Sequence, residues 1–126
     1  ISTNHPVQYA ALESLRGPQG YISEFVTELK KHRDLVVSRL NSMSGISCSN
    51  PKGAFYAFPK IENNPFKSDK EFVLNLLKSK GVLAVHGSGF GTKYGSGYFR
   101  LVFLPNMKIL NSALDKIEDF ISGYKS

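Results

Sequence analysis

The stretch Tyr98-Phe99-Arg100-Leu101-Val102-Phe103-Leu104-Pro105 constrains the fold more than any other part of this chain. Aromatic and β-branched residues dominate it and Pro105 closes it, so it reads as a strand. Side chains alternate across a strand, which puts Tyr98, Arg100 and Val102 on one face and Phe99, Leu101 and Phe103 on the other. The second face is apolar throughout and must be covered. The first carries one arginine, a group that keeps its charge in any protein environment. An arginine among apolar neighbours needs an anion. Unless a carboxylate of the chain already neutralises Arg100, a substrate carboxylate is the natural partner. The planar fork can hold such a group through two parallel hydrogen bonds.

The elements around that strand follow from periodicity and caps. Asn4 or Thr3 caps a first helix with Pro6 near its start, and Gly17-Pro18 ends it. A second helix runs from about Gln19 to about Asn41. Its apolar residues Ile22, Phe25, Val26, Leu29, Val36 and Leu40 recur at helical spacing, and Glu24, Glu28, Lys31 and Asp34 lie opposite. It is long enough to connect two bodies. Strands are expected near Ile46–Cys48 and Ala54–Phe58, separated by Asn50-Pro51-Lys52-Gly53. Ser68 and Glu71 have capping-box spacing ahead of a third helix that Gly81 ends. Val82–Val85 is a third strand and Tyr98–Phe103 a fourth. Asn106 caps a last helix whose apolar face is Ile109, Leu110, Ala113, Leu114, Ile117 and Phe120. Four short strands with amphipathic helices packed on them give an α+β fold, a two-layer α/β sandwich with a small, mostly antiparallel sheet.

Other features narrow the function. With 126 residues and nine Phe, the chain is one domain or a piece of a larger one with a real core. No apolar run approaches the ~20 residues of a membrane span, so no membrane partner is expected. The opening Ile1-Ser2-Thr3-Asn4-His5-Pro6 is polar and lacks Met, so an excised or processed piece without a secretion signal is expected. Cys48 is the single cysteine, which points to a reducing cytoplasm and an inert thiol. The net charge of +6 is scattered and interleaved with acids, as in Lys67-Ser68-Asp69-Lys70-Glu71, which favours a solvated surface over a nucleic-acid footprint.

No complete catalytic machinery is visible. Gly87-Ser88-Gly89-Phe90-Gly91 lacks the Gly-Lys-Ser/Thr of a phosphate loop and leads into a strand, so a flexible or tightly turning loop is the better reading. Ser88 lacks the nucleophile elbow. His86 has no companions at metal-ligand spacing and is assigned a local hydrogen-bonding role. Gly97-Tyr98-Phe99-Arg100-Leu101-Val102-Phe103 departs from the RNA-recognition strand at Ser96, Phe99 and Arg100. A free-standing basic RNA-binding module is the alternative from another class.

Three segments carry a resemblance: Gln8-Tyr9-Ala10-Ala11-Leu12-Glu13-Ser14-Leu15, Pro51-Lys52-Gly53-Ala54-Phe55-Tyr56-Ala57-Phe58-Pro59, and Gly81-Val82 through Pro105. Their order and spacing resemble the C-terminal end of fold-type I, pyridoxal-phosphate-dependent aminotransferases. The last segment resembles the alanine-aminotransferase-like branch more than the aspartate branch, which more often has Pro where His86 stands. The resemblance implies that residues 1–18 are the tail of the large cofactor-bearing domain and 19–126 the small domain with its interdomain helix. It implies that Arg100 binds the α-carboxylate of amino-acid and 2-oxo-acid substrates, and that Phe55 walls the substrate side chain. It implies pyridoxal 5'-phosphate and a cytoplasmic homodimer for the full-length enzyme. The family's Ser-x-x-Lys stretch and pyridine-binding Asp are missing here, so no lysine is assigned and no cofactor or activity is expected for the fragment alone. A related fold-type I enzyme, such as a lyase, keeps the same arginine and stays open.

Overall fold

The computed structural model describes residues 2–124. Ile1, first residue of the expected large-domain tail, and Lys125 and Ser126, last of the expected small domain, lie outside the described residues. The elements are α1 (His5–Arg16), α2 (Gly20–Ser42), β1 (Ile46–Ser47), β2 (Tyr56–Ala57), β3 (Lys60–Ile61), α3 (Asp69–Lys80) and β4 (Val85–His86). A 3₁₀ turn (Gly87–Phe90) follows, then α4 (Thr92–Gly95), β5 (Phe99–Val102) and α5 (Met107–Ser122). Among the described residues no helix is long and apolar enough to cross a membrane.

The caps are where the residues put them. Asn4 accepts from the Val7 N–H, Ser68 from Glu71 and Asn106 from Ile109, each satisfying a donor that the first helical turn leaves free. The capping box closes differently from the expected pattern. The Glu71 carboxylate accepts from the N–H of Lys67, one residue before the cap. Gly81 ends α3 at φ 69°, a left-handed position that glycine takes without steric cost.

Strands β2, β5 and β4 form an antiparallel sheet in that order, with β5 central. Tyr56 pairs with Val102 and Val85 with Arg100. Strands β1 and β3 make a second antiparallel ladder, joined to the first by a bridge between Lys60 and Tyr98. Helices α2, α3 and α5 cover one side of this sheet. Phe99, Phe103, Leu40, Phe72, Leu76, Leu114, Ile117 and Phe120 are buried between the layers. Phe72 meets Phe99 and Phe120 at ring-centroid distances of 5.3 and 5.4 Å. The fold is the expected α+β two-layer sandwich. Strand β3 and the one-turn α4 are additions to the element order read from the sequence.

The long helix is half used. His32, Val36 and Leu40 are buried, whereas Ile22, Phe25 and Val26 are exposed. No residue of α1 is buried, and Leu15 is 80% exposed. The apolar stripe of α2 therefore continues beyond the body it packs on. Where α2 does pack, the buried His32 ring lies with Nδ1 3.0 Å from the carbonyl of Phe103, tying the helix to the residue just past β5.

Candidate functional site

Strand β5 presents Arg100 on the sheet face away from the helices, as alternation requires. Its neighbours there are aromatic. The guanidinium carbon lies 4.5 Å from the ring centroid of Tyr56 and 4.5 Å from that of Phe90. Each contact is within cation–π range and contributes about 0.5–2 kcal/mol depending on desolvation. Nε is buried and has no hydrogen-bond partner. Among the described residues, Arg100 makes no ion pair. A permanent charge is thus held by rings, with its polar edge unanswered among the described residues.

Tyr56 comes from β2 through its register with Val102. Phe90 comes from the 3₁₀ turn, and beyond it the ring of Phe58 lies 5.9 Å away edge-on. Phe58 in turn stacks on Tyr98 at 5.3 Å and 12°. The outer face of the sheet therefore carries a run of rings beside the Arg100 guanidinium. Phe55, the expected wall, sits one ring back. Its centroid is 4.7 Å from that of Tyr56, and its carbonyl accepts the Phe103 N–H at 3.0 Å.

The glycine loop is a tight turn with its donors consumed internally. The Gly87 N–H reaches the carbonyl of Tyr98 at 2.8 Å and the Gly91 N–H that of Ser88 at 3.2 Å. The Gly89 N–H donates to Nδ1 of His86 at 3.1 Å. That bond requires an unprotonated Nδ1, so the hydrogen bonding assigns the Nε2–H tautomer. His86 is a turn cap, in keeping with the local role read from the sequence. The Ser88 N–H donates to Oδ2 of Asp69 at 2.6 Å, across 19 residues. These N–H groups are not free to cradle a phosphate, so the loop does not fit the phosphate of a bound cofactor. Among the described residues there is also no cluster of three metal-ligating side chains.

Asp69 is only 3% exposed. Burial alone would raise its carboxyl, but the backbone and side-chain hydrogen bonds from Ser88, its own backbone N–H and the nearby His86 together hold it below the usual carboxylate range. A group with a lowered folded pKa stabilises fully above its unfolded value, and that contribution disappears as pH falls through the folded one. The wild-type protein should therefore lose more stability below about pH 4 than Asp69→Asn, which keeps an acceptor oxygen but cannot ionise. Denaturant midpoints of the two proteins across the acid range check this, and parallel curves would count against it. Cys48 is buried, which pushes its thiol up and leaves it unreactive at neutral pH.

The sequence singled out Arg100 and gave no notice of the contacts of Tyr56 and Phe90 with it, or of Asp69 with the turn. The one usable signal was Phe90, a large ring alone among glycines.

A family model described as aminotransferase class I and II matches residues 1–117. An aspartate/prephenate aminotransferase of Cereibacter sphaeroides is 37% identical over 97% of this chain, and a glutamate-pyruvate aminotransferase of Haemophilus influenzae is 37% identical over 99%. The matches occupy 33% and 32% of those proteins, so the chain spans about a third of the length of the curated relatives it matches. The solved structure of an alanine aminotransferase from Pyrococcus furiosus superimposes with a TM-score of 0.94 at 51% identity, covering 98% of this chain and 31% of that one. On this agreement of sequence and fold, the chain belongs to the class I and II aminotransferase family.

Proposed function

We propose that this chain is the substrate-clamping part of an enzyme that moves an amino group between an amino acid and a 2-oxo acid, with Arg100 gripping the α-carboxylate of both. The observation that carries the reading is the unanswered guanidinium. A charge that cannot be shed sits on a ring-lined sheet face, and no carboxylate among the described residues pairs with it. An anion in the plane of the fork would take two charge-assisted hydrogen bonds. Both substrates of amino transfer carry a carboxylate at the same position, so one clamp serves both half-reactions. Tyr56 would form the floor beneath the fork, and Phe55 behind it the wall for the substrate side chain.

Residues 19–126 form the small domain in this reading and residues 1–18 the tail of a large one. The exposed stripe of α1 and the first half of α2 supports that division, because its apolar residues have no cover here. Pyridoxal phosphate, which the family implies for full-length members, supplies the electron sink for amino transfer when bound. Its phosphate finds no cradle in this chain's glycine turn, so the large domain would hold it. This chain's share is to bind, orient and, by closing with the small domain, exclude water.

Discrimination tests the clamp. The full-length enzyme should prefer an amino acid over its α-carboxamide by about a hundredfold or more in kcat/KM, since the amide has no charge and one acceptor oxygen. In Arg100→Gln that preference should collapse. A preference of the same size in that variant would show that another group reads the carboxylate.

A further inference from the structure

We propose that Phe90 is a positioning residue, and that the turn Gly87–Phe90 exists to lay its ring against the Arg100 guanidinium and fix the plane of the fork. The inference rests on the reading of Arg100 as the carboxylate clamp. A bidentate grip works only when the carboxylate and the guanidinium are coplanar, and an arginine side chain has four torsions by which to lose that plane. The root of the side chain is fixed by central strand β5. Among the described residues nothing polar fixes its tip: Nε has no hydrogen-bond partner, and the guanidinium is held by two rings alone.

Those rings have different origins. Tyr56 lies in β2, so sheet pairing sets its place. Phe90 lies outside the sheet on the 3₁₀ turn and is 53% exposed, so neither sheet pairing nor core packing sets its place. The turn that carries it is over-determined. The carboxylate of Asp69, from the first turn of α3, holds the Ser88 N–H, and His86 Nδ1 holds the Gly89 N–H. The Ser88 hydroxyl oxygen lies 3.0 Å from that same Nδ1, and Gly87 is tied back to Tyr98. Gly87 and Gly95 also cross so closely that a Cβ on either would meet backbone oxygen, at 2.3 and 2.0 Å. A connection from β4 to β5 needs none of this. It does place Phe90 reproducibly, with Phe58 edge-on against the ring as a backstop. The support runs from α3 through Asp69 to the turn, from the turn to Phe90, and from Phe90 to the fork.

The test uses the full-length enzyme and three variants: Phe90→Leu, Phe90→Tyr and Arg100→Lys. Leucine keeps most of the bulk but has no flat π face, whereas tyrosine keeps the face. Phe90→Leu should raise KM for amino acid and 2-oxo acid about tenfold with kcat within about twofold, because the clamp acts alike in ground and transition states. It should also reduce the preference for carboxylate over carboxamide about tenfold, a ratio that a mere loss of folded protein would leave unchanged. Phe90→Tyr should restore both values to within about twofold of wild type. If Phe90→Leu leaves KM and the ratio unchanged while Arg100→Lys raises KM, Phe90 does not position the fork and the clamp stands. If Arg100→Lys itself leaves KM unchanged, the clamp reading fails and takes this inference with it. A loss in Phe90→Leu confined to kcat, or equal for the amino acid and its carboxamide, also overturns it.

Discussion

Arg100→Lys in the full-length enzyme is expected to raise KM for both amino-acid and 2-oxo-acid substrates and to lower kcat/KM roughly ten- to hundredfold. Lysine keeps the charge, so any loss reports geometry. Its ammonium is a point donor on a flexible stem and gives up one of the two parallel hydrogen bonds to a carboxylate. A hydrogen bond to a charged group is worth about 1.5–3 kcal/mol, and each ~1.4 kcal/mol is a factor of ten. The contacts with Tyr56 and Phe90 would weaken as well, because a planar guanidinium stacks on a ring face and an ammonium does not. Steady-state kinetics on both substrates decide the matter. Unchanged kinetics would leave the cation on β5 without the role proposed for it.

Gly95→Ala is expected to be strongly destabilising although it adds a single methyl group. The added carbon would lie 2.0 Å from the carbonyl oxygen of Gly87 and 2.7 Å from its carbon, and both atoms are backbone. No side chain can swing aside to relieve the clash. The crossing segments would have to separate, breaking the turn bonds at Gly87 and Ser88. Overpacking in rigid surroundings costs about 1–3 kcal/mol and more where nothing can yield, so a loss of at least ~3 kcal/mol is expected. Gly20→Ala is the control, since nothing lies within 4 Å of its added carbon and the residue opens a helix. Urea midpoints of the two variants should separate widely. Equal midpoints would mean that the crossing is looser than described.

The sequence was most legible where physics is local. Caps at Asn4, Ser68 and Asn106 are short-range hydrogen bonds, and the faces of α5 and β5 follow from periods of 3.6 and 2. Arg100 stood out because a charge among apolar residues is expensive wherever the chain goes. The parts that escaped are non-local. Strand β3 is two residues directly after Pro59, too short for any alternation to show. That Tyr56 rather than Phe55 touches the guanidinium depends on a register that only the paired strands define. Asp69 read as an ordinary first-turn acid, and its reach to Ser88 exists only once α3 and β4 are side by side. The glycine run gave no hint of its own rigidity. Glycines permit many conformations, and it is the close crossing of Gly87 and Gly95 that selects one. The helix α2 reads as long enough to connect two bodies, but its even apolar stripe does not mark the point near His32 at which cover begins.

Since Asp69 grips a main-chain amide, the bond takes no interest in which side chain stands at position 88. In a saturation library, position 88 should accept other residues at the cost of the hydroxyl's own bonds to Asp69 and His86, with proline as its sharpest exclusion, because proline alone removes the main-chain donor. Position 69 should be intolerant of nearly everything but a short acceptor, so the acceptor's end of the contact would show the narrower tolerance in the same screen.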